Sequence, residues 1–181
     1  VNPEAYEAYL KGRFHWYKLS REHIDTALDY FQLALEKDPN YALAYVGIAD
    51  TWMIRGDIGL MPPREAFPKM KAAALKALEL DATLAEVHVT LSHLRIGERD
   101  WAGAATEFQR AIQLNPGDAP AHFFYSDLLI SVGRPQEALA EMKRALELDP
   151  FNFFFQCFFG WHLVYLRRYD EAIAQLRKAL R

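Results

Sequence analysis

The sequence predicts an all-α fold, a solenoid of about five helix-turn-helix units rather than one globule around a single core. Three observations carry this. Four segments end alike, ALEKDPNYA (34–42), ALELDATLA (77–85), AIQLNPGDA (111–119) and ALELDPFNF (145–153). Their prolines, with one alanine in place of a proline, fall at Pro39, Ala82, Pro116 and Pro150, at spacings of 43, 34 and 34. A fixed period of this size is the signature of a repeat architecture, and the longer first interval reads as the same period with a loop insertion. No segment alternates polar and apolar residues as a strand would, whereas apolar residues recur throughout at helical spacing.

The second helix of each unit carries small, large and small residues at i, i+4 and i+7. These are Ala27, Phe31 and Ala34, then Ala104, Phe108 and Ala111, then Ala138, Met142 and Ala145, and at the end Ala172, Leu176 and Ala179. That spacing puts all three on one helical stripe. The small residues let a neighbouring helix approach and the large one plugs the gap. The proline five residues on follows a helix that it cannot continue. The first helix of each unit carries a small residue at the close contact, in turn Gly12, Ala49, Ser92, Ser126 and Gly160.

Helices are expected over 3–18, 22–37, 41–55, 63–80, 84–97, 101–114, 118–132, 135–148, 152–167 and 169–181. Ser20, Asp100, Asp118 and Asn152 mark starts as caps, and Pro135 marks one as a first helical residue. Gly97 and Gly133 are expected in turns. The stretch GDIGLMPP (56–63) is a loop by its two glycines and two prolines. Pro68 is expected to kink the following helix or delay its start. The units run approximately over 3–39, 40–82, 83–116, 117–150 and 151–181, the second with the long inter-helix loop and the last truncated.

This pattern resembles the tetratricopeptide repeat family, whose unit has a large aromatic, then Leu-Gly, Tyr, Ala, Phe, Ala and Pro over about 34 residues. The resemblance covers essentially the whole chain. It is specific in the second helices and looser in the first, with His88 and His122 at the large-aromatic place, Arg95 at the tyrosine place, and Met70 and Ala74 departing in the second unit. The resemblance implies a right-handed α-α superhelix whose first helices line a concave groove, and a protein-binding function without catalysis.

Composition excludes several other classes. With 21 Lys+Arg against 24 Asp+Glu and a net charge of −3, no electrostatic footprint for nucleic acid or an anionic membrane is present. The longest apolar stretch, 153–166, contains Gln156 and His162 and is too short to span a bilayer. The single Cys157 cannot form an internal disulfide, and its aromatic surroundings suit an inert thiol. There is no phosphate-binding loop, nucleophile elbow or HExxH. No catalytic, cofactor-binding or metal site is therefore expected. His88 and His122, 34 residues apart, read as replacements for packing aromatics rather than as a metal pair. The chain opens at Val1 without a signal peptide and closes at Arg181 inside an expected helix, so it reads as a piece of something longer.

The groove positions implied by the family lack the Lys, Asn and Arg that clamp a peptide carboxylate. They carry apolar and aromatic residues with the acids Asp50, Glu86 and Asp127 interspersed. Residues 151–169 contain nine aromatics, whereas a helix packed on one side needs one apolar stripe. Phe155, Phe159 and Leu163 fill that stripe, and Phe154, Phe158, Trp161 and Tyr165 form a second. The expected partner-binding residues are thus Phe123, Asp127, Ile130, Phe154, Phe158, Trp161 and Tyr165. The expected partner is a protein or peptide, with a second copy of the chain as one alternative. A small-ligand sensor using Asp127, His93 and Ser131 is another. DPNYALAYVGIADTW and PPREAF look like arrays in the C-terminal part of bacterial signalling proteins that carry a cyclase, kinase or winged-helix domain. That resemblance implies a docking or sensor role in the cytoplasm, or in the extracytoplasmic half of a membrane-bound regulator.

Overall fold

Ten α-helices follow one another in the computed structural model, which describes residues 2–180, and no strand occurs among these residues. They are α1 (Pro3–Trp16), α2 (Arg21–Lys37), α3 (Ala42–Asp57), α4 (Pro63–Leu80), α5 (Ala85–Gly97), α6 (Trp101–Leu114), α7 (Ala119–Ser131), α8 (Pro135–Leu148), α9 (Phe153–Tyr165) and α10 (Tyr169–Ala179). Arg181, the last residue of the expected final helix, lies outside the described residues. The chain divides into two compact bodies, one ending at Arg99 and the other beginning at Asp100.

In the N-terminal body α1 packs on α2 and α3 on α4, and α2 also meets α3 as α4 meets α5. Phe31 is fully buried and plugs the space where α2 meets its neighbours. Gly12 and Gly47 both press their backbones against its ring, and a Cβ built at Gly47 would stand 2.6 Å from it. Around Met70 the core is built largely from alanines, with Ala49, Ala73, Ala74 and Ala77 among Val46, Val87, Leu91 and Leu94. Small side chains here let the helices close to short separation.

In the C-terminal body α7 packs on α8 and α9 on α10, and α6 meets α7 as α8 meets α9. Phe123, Met142, Ala145 and Phe155 form one part of its core. Leu139, Leu163 and Ala172 form another. Gly160 leaves room for Leu176, which its Cβ would overlap.

Ser20, Asp100, Asp118 and Asn152 each cap a helix by accepting a backbone N–H. The structure corrects two local expectations. Gly97 is the last residue of α5 rather than a turn residue, placed beside the Phe67 ring where a Cβ would not fit. Pro68 does not delay α4, which starts at Pro63 and runs through it. The turns themselves follow a rule that glycine content did not reveal. Leu19, Arg99, Gly133 and Arg167 all have positive φ, and each lies seven residues after the small residue of its first helix. The left-handed place is set by the repeat, and glycine fills it only at Gly133.

Candidate functional site

α9 is the helix with aromatic residues on every side, so its packing decides which of them are available. Phe155 and Leu163 are buried in the core of the C-terminal body. Phe123 of α7 is buried too, stacked on Phe155 at 4.8 Å between ring centroids and met edge-on by Phe158 at 5.1 Å. Phe158 is half-buried, packed against the cluster of Phe123, Met142, Ala145 and Phe155. Of the expected second stripe, Phe154 (57% exposed), Trp161 (57%) and Tyr165 (64%) stand in solvent. Val164 borders them, and the half-buried Cys157 completes the row. The exposed row therefore runs through 154, 157, 161 and 165, with Phe158 and Phe123 beneath and beside it.

Asp127 of α7 accepts a hydrogen bond from Nε2 of the buried His162 at 3.1 Å, which ties α7 to α9. Its side chain keeps 36% exposure. Ile130, one helical turn further along α7, is half-buried.

The other expected acids belong to the N-terminal body. Asp50 of α3 is committed to a local network. It accepts from the Arg13 guanidinium at 3.1 Å and from the Thr90 hydroxyl at 3.2 Å. Burial pushes its carboxyl up, and Arg13 and Thr90 only partly pull it back. Arg13 also donates to the Tyr17 hydroxyl at 2.8 Å and lies over the Trp16 and Tyr17 rings. Glu86 is exposed. His93 bonds the Val89 carbonyl at 3.0 Å, and burial pushes its imidazole down to about 4. Asp127 and Ser131 lie in the other body, as two residues of α7. An open cleft of about 310 Å³ in the C-terminal body, lined by residues including Gln109, Tyr125, Glu137 and Glu141, lies away from the aromatic row.

His88 and His122 occupy equivalent places and make equivalent bonds. His88 Nε2 lies 3.0 Å from the Ala82 carbonyl, and His122 Nε2 lies 3.2 Å from the Pro116 carbonyl, six residues back in each case. Each imidazole thus closes the turn before its helix. His122 has a second partner in Glu141 of α8, at 2.6 Å, which spacing along one helix face did not reveal. Among the described residues no group of three or more His, Cys, Asp or Glu side chains is arranged to hold a metal ion. Among the same residues no helix is long and apolar enough to cross a membrane.

A model of the tetratricopeptide repeat matches residues 95–152. No curated protein matches the chain. Among solved structures, a thermophilic tetratricopeptide protein of Thermus thermophilus superposes with a TM-score of 0.73 at 17% identity, covering 90% of this chain and 82% of that one. A crystal structure of MamA matches at 26% identity with a TM-score of 0.59, covering 88% of each chain. YrrB, described as a tetratricopeptide protein with an unusual peptide-binding site, matches at 24% identity with a TM-score of 0.58, over 88% of this chain and 77% of that one. The fold class is thus the all-α tetratricopeptide solenoid, and the family is supported by its own model over residues 95–152 and by the solved structures over most of the chain.

Proposed function

We propose that this chain is a protein-interaction module with no chemistry of its own, which takes a peptide or helix of a partner on the exposed aromatic side of α9. The observation that carries this is the solvent exposure of Phe154, Trp161 and Tyr165 together, on a helix whose opposite side already supplies the core. Aromatic anchors of this kind are typical interface hot spots, and exposed clusters of them are costly unless used. Phe123, Phe158 and Ile130 form the floor and edge of the site, and Asp127 its single acidic edge. YrrB, with its peptide-binding site, supports the reading as a fold relative. The partner segment presents apolar residues at i and i+4 spacing. Because Asp50 is already paired to Arg13, a strongly basic partner is not required. Within this reading the module is the docking or sensor part of a larger bacterial regulator. It works in the cytoplasm or in the extracytoplasmic half of a membrane-bound protein.

The test is selection from a displayed library of amphipathic helical peptides, followed by titration against Trp161→Ala/Tyr165→Ala. Helicity and melting stay near wild type while affinity falls at least tenfold, about 1.4 kcal/mol. If the double variant unfolds, the rings are core and the reading fails. It fails equally if the selected peptides bind the variant as well as the wild type.

A further inference from the structure

His15 and His23 bring their Nδ1 atoms to 2.9 Å from each other in the N-terminal body. His15 lies in the last turn of α1 and His23 in the first turn of α2, so the pair bridges the connection between the two helices. A separation of eight residues across a turn matches no spacing along one helix face, so the sequence did not reveal it.

The rings are held in place by their surroundings. His15 stacks on Tyr30 of α2, with 5.6 Å between centroids and 20° between planes, and meets Phe14 edge-on at 5.4 Å. The His23 backbone N–H donates to the Ser20 hydroxyl that caps α2. Both imidazoles are half-buried. Two neighbouring cations are engaged elsewhere, Arg13 with Asp50 and Lys18 over the Phe14 ring.

The distance between the nitrogens suits two kinds of bridge. Without a metal, one neutral ring carries its hydrogen on Nδ1 and donates it to the bare Nδ1 of the other. With both hydrogens on Nε2, two lone pairs converge on one point. Metal–nitrogen bonds of about 2.0–2.1 Å to atoms this far apart enclose an angle of about 90°. That is the cis angle of a square-planar or tetragonal site, the geometry of copper(II) and nickel(II) with nitrogen and oxygen ligands. A tetrahedral ion such as zinc(II) needs the nitrogens spread to about 3.3 Å. Passing from one bridge to the other moves one ring hydrogen from Nδ1 to Nε2 and involves no net loss of a proton.

Access to the pair does not depend on α1 being the first helix. Three residues after the small residue of a first helix, the place of His15, Arg95 of α5 is exposed while Leu129 and Leu163 are buried. Four residues before the first small residue of a second helix, the place of His23, Arg134 and Arg168 are exposed, although a second helix precedes each of their units. A helix in front of α1 therefore leaves the His23 side of the pair open to solvent.

We propose that His15 and His23 form a two-imidazole site for a divalent late transition-metal ion, copper(II) in preference to zinc(II), with water completing the coordination. The general affinity order of these ions for nitrogen ligands points the same way as the angle. The bound ion ties the end of α1 to the start of α2 and so stabilises the first unit. The site lies in the N-terminal body and stands apart from the peptide-binding reading of α9.

The test is titration of the tag-free chain, its N-terminal amine acetylated, with cupric sulfate near neutral pH, followed by calorimetry and electron paramagnetic resonance. One copper binds per chain with a tetragonal signal split by two nitrogens, and the melting temperature rises. Zinc sulfate binds at least tenfold more weakly. His15→Gln and His23→Gln each lower copper affinity at least tenfold and remove the rise in melting temperature, with helicity unchanged. In the wild type, the ring resonances of His15 and His23 broaden first as copper is added, a readout that needs no variant to fold. Failure to bind copper at near-millimolar concentration overturns the proposal. So does a His15→Gln/His23→Gln variant that binds copper as the wild type does, broadening that begins at other histidines, or zinc that binds as tightly as copper.

Discussion

His122 Nδ1 and the Glu141 carboxylate stand 2.6 Å apart, while the other imidazole nitrogen faces the Pro116 carbonyl. With an acceptor at each nitrogen, the doubly protonated ring is favoured. Burial works against the charge, but Glu141 and the Pro116 carbonyl outweigh it and hold the imidazole above its ordinary value. A folded-state pKa above the unfolded one contributes stability that is complete below about pH 6.5 and is lost as pH rises through the folded value. Glu141→Gln should therefore cost about 1–3 kcal/mol near pH 5.5 and clearly less near pH 8.5, measured by urea unfolding at both. An equal loss at the two pH values would show that the charge on His122 is not what Glu141 stabilises.

The turn register makes a second prediction. Arg167 has φ 58° where Gly133 has φ 77° at the equivalent place. A side chain in the left-handed region costs about 1–2 kcal/mol, and glycine returns part of that through its greater unfolded freedom. Arg167→Gly should raise stability by about 0.5–1 kcal/mol, seen as a higher melting temperature. Gly133→Ala should lower it.

Phe31 is predicted to be intolerant in both directions. Phe31→Ala should lose about 3–5 kcal/mol by opening a cavity. Gly47→Ala should lose about 1–3 kcal/mol by crowding the same ring. Denaturant unfolding of the two variants checks this, and a wild-type Gly47→Ala would mean that Phe31 can shift aside.

Asp50 and Arg13 form a third sensitive contact. Asp50→Ala strands a half-buried guanidinium and should cost roughly 3 kcal/mol. Replacing both partners, as Arg13→Met/Asp50→Leu, should recover most of that loss, because desolvation of the pair offsets much of its attraction. If the double variant is as unstable as Asp50→Ala, the pair contributes packing that apolar residues do not replace.

The two sides of α9 should respond oppositely. Phe155→Ala should lose about 3–5 kcal/mol, whereas Trp161→Ala should stay within about 0.5 kcal/mol of wild type. Thermal melts of the two single variants check the division of the helix.

By itself the sequence determined the period, the small-large-small stripes, the caps at Ser20, Asp100, Asp118 and Asn152, and the aromatic excess of residues 151–169. These are local or periodic features, and helix geometry converts them directly into faces and ends. Tertiary structure decided which aromatic rings reach solvent. Phe158 belongs by spacing to the same stripe as Phe154 and Trp161, yet contact with Phe123 half-buries it. It decided equally that Asp50 pairs with Arg13, 37 residues away, and His122 with Glu141, 19 residues away. Such partners come from neighbouring helices, whose rotation and separation are set by the summed packing of small and large residues rather than by any spacing along one helix.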